Sequence, residues 1–92
     1  MSSDDRQRVA LVTGGAVRIG RAISLGLARA GYDLVVAYRS SSQPAESLRE
    51  EVAAMGRTMA HIQVDLRDVH AADRVIDAVG TSFGRLDVLV NS

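Results

Sequence analysis

An apolar run that passes through two glycines into a helical repeat constrains the fold of this chain more than any other feature. Residues 9–12 are all apolar, a glycine pair follows at 14–15, and apolar residues then recur every four positions from Ile19. This order predicts a buried strand, a tight turn and the start of a helix. Because the N-terminus of a helix presents unpaired N–H groups and a partial positive charge, an anion binds there favourably.

Two arginines, Arg18 and Arg21, stand at the predicted start of that helix. A cation in this place opposes the helix dipole, by roughly 0.3–1 kcal/mol each. A polyanionic ligand at the turn would offset that unfavourable term, so the turn is predicted to hold such a ligand. The alternative is an ordinary solvated position, which fits Arg21 better than Arg18.

The composition describes a small globular domain and limits its partners. The 92 residues are 47% hydrophobic, carry a formal net charge of zero and include no lysine and no cysteine. Without a basic excess, nucleic acid is not an expected partner. Without cysteine there are no disulfides or thiolate metal sites, and no His, Asp or Glu pair has metal spacing. No apolar run is long enough for a membrane segment. We predict a cytoplasmic protein without a metal, with a flexible tail at residues 1–7.

Strands and helices alternate along the rest of the chain. The predicted strands span residues 9–12, 33–38, 59–66 and 86–90. The helices between them are predicted to end at Gly31, Gly56 and Gly84. Pro44 is expected at the first position of the second helix, and Asp68 as the cap of the third. Right-handed crossovers then give an α/β fold, a doubly wound parallel sheet of the Rossmann type, with strand order 3-2-1-4.

Apolar stripes predict which helix faces contact the sheet. They comprise residues 19, 23, 27 and 30 in the first helix, 45, 48, 52 and 55 in the second, and 69, 72, 76, 79 and 83 in the third. The third strand alternates instead, which predicts an edge strand with His61 and Gln63 exposed and Ile62 and Val64 buried. The fourth strand would end as a bare apolar edge, so residues 8–92 are expected to be the N-terminal part of a larger domain.

Three segments, in chain order, resemble signatures of the short-chain dehydrogenase/reductase family. The run Thr13-Gly14-Gly15-Ala16-Val17-Arg18-Ile19-Gly20 is similar to the Thr-Gly-x-x-x-Gly-x-Gly cofactor turn of that family. Asp65 matches the aspartate that the family uses near the adenine ring, and residues 86–91 match the start of its Asn-Asn-Ala-Gly segment. The resemblance covers residues 8–92 and implies a nicotinamide cofactor.

Two features of the chain refine this resemblance. Where NAD-binding folds place an acid for the ribose 2′-hydroxyl, the chain has Tyr38-Arg39-Ser40, which favours the 2′-phosphate of NADP(H). Arg18 replaces the middle glycine of the turn, a variant similar to pteridine reductases, whereas Ser92 stands where the family usually has a second asparagine. The implied cofactor-binding residues are Thr13, Gly14, Gly15, Arg18, Ile19, Gly20, Tyr38, Arg39, Ser40, Asp65, Leu66 and Asn91.

The resemblance implies an NADP(H)-dependent reductase that transfers hydride to a carbonyl or pterin substrate and forms homo-oligomers at full length. The family's catalytic serine and Tyr-x-x-x-Lys pair follow its fourth strand, and this sequence has no lysine. No catalytic residue is therefore assigned, and the missing C-terminal half is the expected partner, without which the 92 residues should be inactive. The alternatives are a 3-oxoacyl-carrier-protein reductase of the same family and a non-catalytic nucleotide-binding module. Purely structural roles remain open for the turn glycines, Asp65 and Asn91.

Overall fold

The computed structural model describes residues 7–40 and 42–92. Of the predicted flexible tail, residues 1–6 lie outside the described residues, while the side-chain amide of Gln7 donates a hydrogen bond to the Asp33 carboxylate at 2.9 Å. The elements are β1 (Val9–Thr13), α1 (Arg18–Arg29), β2 (Asp33–Tyr38), α2 (Ser42–Ala54), β3 (Met59–Gln63), α3 (Ala71–Ser82) and β4 (Val88–Asn91). No helix in these ranges is both long and apolar enough to pass through a membrane.

The four strands form one parallel sheet in the order β3-β2-β1-β4, which confirms the predicted topology. In the centre, Leu11 lies opposite Val35 of β2 on one side and Leu89 of β4 on the other. All five residues of β1 are buried. A parallel strand covered by helices on both faces shows no alternation, and the unbroken apolar run of β1 follows from that cover.

Alternate residues of the strands contribute to two cores, one on each face of the sheet. On the first face, α1 and α2 cover Ala10, Leu34 and Val36. On the second face, α3 covers Leu11, Val35 and Ala37. Each fully buried valine or leucine contributes about 1.5–3 kcal/mol relative to an exposed one. The molecule is therefore a three-layer stack of helices, sheet and helix.

The predicted apolar stripes of α1 and α3 are only partly correct. Leu27, Val79 and Phe83 pack against the cores as predicted. The fully buried line of α1 lies one position later than predicted, and Ala72 and Ile76 of α3 are exposed. The buried line of α1 consists of Gly20, Ser24 and Ala28, and Ile19 is 74% exposed. In α3 the buried residues are Ala71, Val75 and Val79, whereas Val69, before the helix, is 86% exposed. A repeat of four residues does not decide which of two adjacent lines along a helix faces the sheet. The line with small residues faces it in α1, because small residues let the helix axis approach the sheet closely. The stripe of α2 is confirmed at Ala45, Leu48 and Val52, but Met55 is exposed.

Glycines end the helices as predicted, but two of the predicted starts are wrong. Gly31, Gly56 and Gly84 have φ angles of 99°, 81° and 75° after α1, α2 and α3. Pro44 is the third residue of α2, within the first turn, where its missing N–H needs no partner. Asp68 does not cap α3, because the residue before that helix is His70. The Asp68 carboxylate instead accepts the His70 N–H at 2.8 Å and forms a turn that precedes the helix.

The prediction of β3 as an edge strand is confirmed, but the predicted difference between its faces is only partly correct. Gln63 is exposed and Val64, just past the strand, is buried. His61 and Ile62 are both half-buried, because α2 covers the imidazole on one face while α3 lies on the other. Both faces of this edge strand therefore have a partly protected surface.

Candidate functional site

The turn between β1 and α1 lies at the carboxyl end of the sheet, and its glycines are required by contacts within the chain. A Cβ atom at Gly20 would lie 2.0 Å from the Gly14 carbonyl oxygen. A Cβ atom at Gly15 would lie 2.9 Å from the Val12 side chain and from Ser24 Oγ. Gly14 has a φ of 65°, and its N–H donates to the Ala37 carbonyl at 2.8 Å. Packing thus accounts for Gly15 and Gly20, and the left-handed backbone accounts for Gly14.

Ser24, which joins the turn to the helix, is absent from the residues predicted for the site. This serine is fully buried, and its Oγ lies within hydrogen-bonding distance of the carbonyl oxygens of Gly15 (3.1 Å) and Gly20 (2.9 Å). A hydroxyl on the helix face that packs against the turn therefore satisfies carbonyl groups there. Its position between Gly20 and Ala28, in the line of small residues, was the available signal in the sequence.

Arg18 and Arg21 have different environments, although they are one helical turn apart. Arg18 is exposed and has a φ of 56°, and its side chain makes no hydrogen bond or ion pair within residues 7–40 and 42–92. A left-handed conformation at a residue other than glycine costs about 1–3 kcal/mol and is concentrated at functional sites. Arg21 instead reaches α2, where it donates to the Pro44 carbonyl at 3.3 Å and pairs with Glu51. Arg21 therefore joins the two helices, a contact that neither the ligand hypothesis nor the solvated alternative predicted.

Two adjacent cavities lie beside the turn and share Gly14, Tyr38 and Arg39 as lining residues. The first, of about 190 Å³, extends towards Val17 and Ser40. The second, of about 160 Å³, extends towards the end of β3 and is also lined by Leu66 and Ser92. Ile19 lies outside both linings and is exposed on the first turn of α1. The sheet topology thus brings the glycine turn and the end of β2 to one groove.

The groove has apolar walls and a positive charge. Among the described lining residues, Arg39 is the one with a charged side chain. Its guanidinium is exposed and makes no ion pair or side-chain hydrogen bond with a described residue. Tyr38 is half-buried and Ser40 is exposed. Apolar surface for a base, next to a hydroxyl and a guanidinium without an ion pair to a described residue, fits the adenosine end of a phosphorylated nucleotide.

Asp65 follows β3 near the second cavity, and its carboxylate is bound by a neighbour. The Arg67 guanidinium contacts both carboxylate oxygens, at 3.1 and 2.9 Å, and the Arg67 N–H donates to Oδ1 at 2.9 Å. These hydrogen bonds lower the pKa of Asp65 to about 2, and the bond from the Arg67 side chain has the largest effect. The carboxylate is therefore ionised at neutral pH and already stabilises a local turn. Its predicted contact with an adenine ring stays a prediction.

Thr13 and Asn91 form a pair across the carboxyl ends of β1 and β4. They are register partners, and Thr13 Oγ1 donates to Asn91 Oδ1 at 2.7 Å. The same hydroxyl accepts the N–H of Ser92 at 3.2 Å. Thr13 is buried, so this pair fixes the end of β4 against β1. The structural role that the sequence left open for Asn91 has a geometric basis, while a direct cofactor contact for either residue stays a prediction.

Comparisons with known proteins agree with the fold. Residues 8–92 match the sequence profile of the short chain dehydrogenase family. The 3-oxoacyl-carrier-protein reductase of Staphylococcus aureus is 43% identical over 83 residues, which cover 90% of this chain and 34% of that protein. A crystal structure of a 3-oxoacyl-carrier-protein reductase from Brucella melitensis superimposes with a TM-score of 0.85 at 37% identity, over 95% of this chain and 34% of that one.

A further solved structure that resembles this chain contains a bound nucleotide. The L-sorbose reductase of Gluconobacter frateurii, in complex with NADPH and L-sorbose, superimposes with a TM-score of 0.86 at 30% identity, over 94% of this chain and 33% of that one. The chain thus spans about a third of the length of the relatives that it matches.

Proposed function

Because this chain belongs to the short-chain dehydrogenase family, we propose that it forms the cofactor-binding part of an NADP(H)-dependent reductase. The single observation that carries the proposal is the unpaired Arg39 guanidinium at the carboxyl end of β2, between two cavities that it helps to line. The 2′-phosphate of NADP(H) is a dianion near neutral pH, and the planar fork of arginine can bind it through charge-assisted hydrogen bonds. NAD(H) has no such group.

Three further features support a phosphorylated ligand at this groove. Ser40 lines the same cavity as Arg39 and adds a hydroxyl donor. Arg18 is a second exposed cation, in a strained conformation at the turn. A carboxylate, which would repel a 2′-phosphate, is absent from residues 38–40. In this proposal Gly14, Tyr38 and Leu66 form walls of the groove. The other residues of the set belong to the turn or to the strand ends beside it.

The proposed reaction is hydride transfer between the nicotinamide and a carbonyl or pterin substrate. The cofactor supplies the hydride, and this chain supplies the binding and orientation of its adenosine end. Arg18 at the middle position of the turn supports a pteridine-reductase-like member of the family. The second candidate is a 3-oxoacyl-carrier-protein reductase, which the 43% identity to such an enzyme favours. A cytoplasmic location and a homo-oligomeric state belong to the same proposal.

The test is a titration of NADPH and NADH against the wild-type protein and Arg39→Ala at low ionic strength. We expect the wild type to prefer NADPH. A charged hydrogen bond contributes roughly 1.5–3 kcal/mol, so Arg39→Ala should weaken NADPH binding by about 10- to 150-fold and leave NADH binding nearly unchanged. Arg29→Ala, which removes an exposed arginine from the last turn of α1, is the matched control and should alter neither affinity. A wild type that binds NADH as tightly as NADPH, or equal losses for the two cofactors in Arg39→Ala, would overturn the proposal.

A further inference from the structure

The edge strand β3 holds the main chain of the residue that carries the proposed phosphate contact. The side-chain amide of Gln63 donates a hydrogen bond to the carbonyl oxygen of Arg39 at 3.2 Å. Gln63 and Tyr38 are the last register partners of the ladder between β3 and β2. Arg39 therefore lies one residue beyond the paired strand, and Gln63 supplies from its side chain a donor to the carbonyl there.

The preceding residue is held by independent contacts. The N–H of Val64 donates to the Tyr38 carbonyl at 2.8 Å. The Tyr38 ring packs against the His61 imidazole, with 5.6 Å between ring centroids. His61 is in turn fixed by Glu46 of α2, whose carboxylate lies 2.9 Å from Nε2. The segment that leads into Arg39 is thus anchored, and among the described contacts Gln63 is the side chain that holds Arg39 itself.

Gln63 is itself well placed to act as an anchor. Its main chain is paired with β2, and its carbonyl accepts a hydrogen bond from the Arg74 guanidinium of α3 at 3.3 Å. The residue is absent from the described linings of both cavities that Arg39 lines. The described side-chain contact of Gln63 with the groove is therefore its hydrogen bond to Arg39.

We propose that Gln63 is a positioning residue that sets the preference for a 2′-phosphorylated nucleotide by fixing the main chain of Arg39. This inference rests on the proposed function and deepens it. With the amide in place, the Arg39 guanidinium starts from a restricted main chain, and less conformational freedom is lost when the phosphate binds. A nucleotide without the 2′-phosphate gains nothing from this restriction. When the amide is removed, the preference for the 2′-phosphorylated nucleotide should therefore fall, while the affinity for a nucleotide without the 2′-phosphate stays the same.

The experiment uses two probes that differ only in the 2′-phosphate, adenosine 2′,5′-bisphosphate and adenosine 5′-monophosphate. Calorimetric titration of the full-length protein gives the ratio of their affinities in the wild type, Gln63→Met and Arg39→Ala. Methionine keeps the length of the side chain and removes the amide. We expect Gln63→Met to reduce the ratio by about 3- to 10-fold, through the bisphosphate alone, as the loss of one neutral hydrogen bond would do.

Gln7→Met is the matched control. It makes the same chemical change at the opposite end of the sheet, where the Gln7 amide holds Asp33 at the start of β2. A merely structural effect of losing such a bond would appear in both variants and weaken both probes alike. The ratio in Gln7→Met should equal that of the wild type.

The outcomes separate this inference from the proposed function. If the wild type shows no preference for the bisphosphate, the proposed function itself fails. If the wild type prefers the bisphosphate and Arg39→Ala loses the preference, but Gln63→Met retains it in full, the proposed function stands and the positioning role of Gln63 is overturned. A fall in affinity for both probes in Gln63→Met would also overturn it.

Discussion

The two ends of the sheet use their charged side chains in opposite ways. At the amino end, Asp33 accepts the Thr58 N–H at 2.9 Å, and Asp87 accepts the Val9 N–H at 2.8 Å. Both carboxylates join segments that are far apart in the sequence. At the carboxyl end, Arg18 and Arg39 are exposed and make no side-chain hydrogen bond or ion pair with the described residues.

The difference separates polar groups that stabilise the fold from those that are available to a ligand. The amino-end carboxylates satisfy backbone donors, so their contribution is complete within the chain. Arg18 and Arg39 at the carboxyl end leave their side-chain donors open, and Arg18 has in addition a left-handed backbone. In open parallel sheets ligands bind outside the carboxyl ends of the strands. The strained backbone of Arg18 and the two arginines without ion pairs to the described residues lie at that same end. Binding sites often contain such features, although they lower the stability of the fold.

Gly20→Ala should produce the largest effect, at the carboxyl end. The new Cβ would meet the Gly14 carbonyl oxygen at 2.0 Å, and backbone cannot yield as a flexible side chain can. We expect the free energy of unfolding to fall by about 1–3 kcal/mol or more, as for other overpacked sites, and the nucleotide affinity to fall with it. Urea denaturation and a cofactor titration measure the two effects.

Gly26→Ala is the control within the same helix. Nothing lies within 4 Å of a Cβ built at Gly26, and the position is exposed. Alanine favours helix over glycine by about 0.8–1 kcal/mol, so this variant should be more stable than the wild type and bind nucleotide normally. Equal denaturation midpoints for the two alanine variants would show that the turn is not the rigid contact described above.

The alternation of strands and helices could be predicted from the sequence because its signals are redundant. Apolar runs mark β1, β2 and β4, alternation marks β3, and a glycine with positive φ follows each helix, as at Gly31 and Gly84. The strand order followed from the alternation of β3 and from the rules for parallel crossovers. These signals come from residues that are close together in the sequence, so they can be recognised without knowledge of the three-dimensional contacts.

The partners of charged and packed side chains could not be predicted in the same way. The direction of Arg21 depends on Glu51, thirty residues later, and on how close α2 lies to α1. The line of α1 that faces the sheet depends on the close approach of Gly20 to Gly14, which the repeat of four does not encode. The partner of Asp65, Arg67, is only two residues away. The sequence does not distinguish this pairing from a contact with a ligand, because a carboxylate next to a groove can make either.

Arg18→Gly should give a smaller effect, with opposite signs for stability and binding. Glycine adopts a φ of 56° without the steric penalty of about 1–2 kcal/mol, but it loses about 0.5–1 kcal/mol through the greater freedom of the unfolded chain. The net expectation is a gain of about 0.5–1 kcal/mol in the free energy of unfolding. Affinity for NADPH should fall several-fold, because one exposed cation is lost from the turn.

Thermal denaturation with and without NADPH tests the pair of effects in one assay. The apo variant should melt at a higher temperature than the wild type, and NADPH should raise its melting temperature by less. A variant that is less stable and binds NADPH as well as the wild type would show that Arg18 stabilises the fold and does not bind the ligand. Arg39 would then be the remaining ligand-binding arginine in the contrast between the two ends of the sheet.

The smallest effect concerns acid stability and compares one carboxylate from each end. Two hydrogen bonds hold the pKa of Asp87 below its ordinary value of 3.8. The bond from the Arg85 side chain has the larger effect, and the bond from the Val9 N–H the smaller. Arg67 lowers the pKa of Asp65 to about 2. A carboxyl whose pKa is lower in the folded state contributes stability that is present above the unfolded pKa. That contribution is lost as the pH falls through the folded pKa, so both pairs should weaken below about pH 4.

The two losses should nevertheless differ, because only one of the carboxylates has a distant partner. The Asp65–Arg67 and Asp87–Arg85 pairs each join residues two positions apart and can form in the unfolded chain. The parts of the two pKa shifts that come from Arg67 and Arg85 are therefore shared by both states. The bond from the Val9 N–H to Asp87 spans the sequence from β1 to the start of β4 and exists only in the folded protein. Asp87→Asn should therefore flatten the decline of the free energy of unfolding between pH 4 and pH 2 more than Asp65→Asn does. Urea denaturation at half-unit steps of pH measures both slopes, and a flatter slope in Asp65→Asn would mean that the carboxyl end of the sheet also stabilises the fold through its charges.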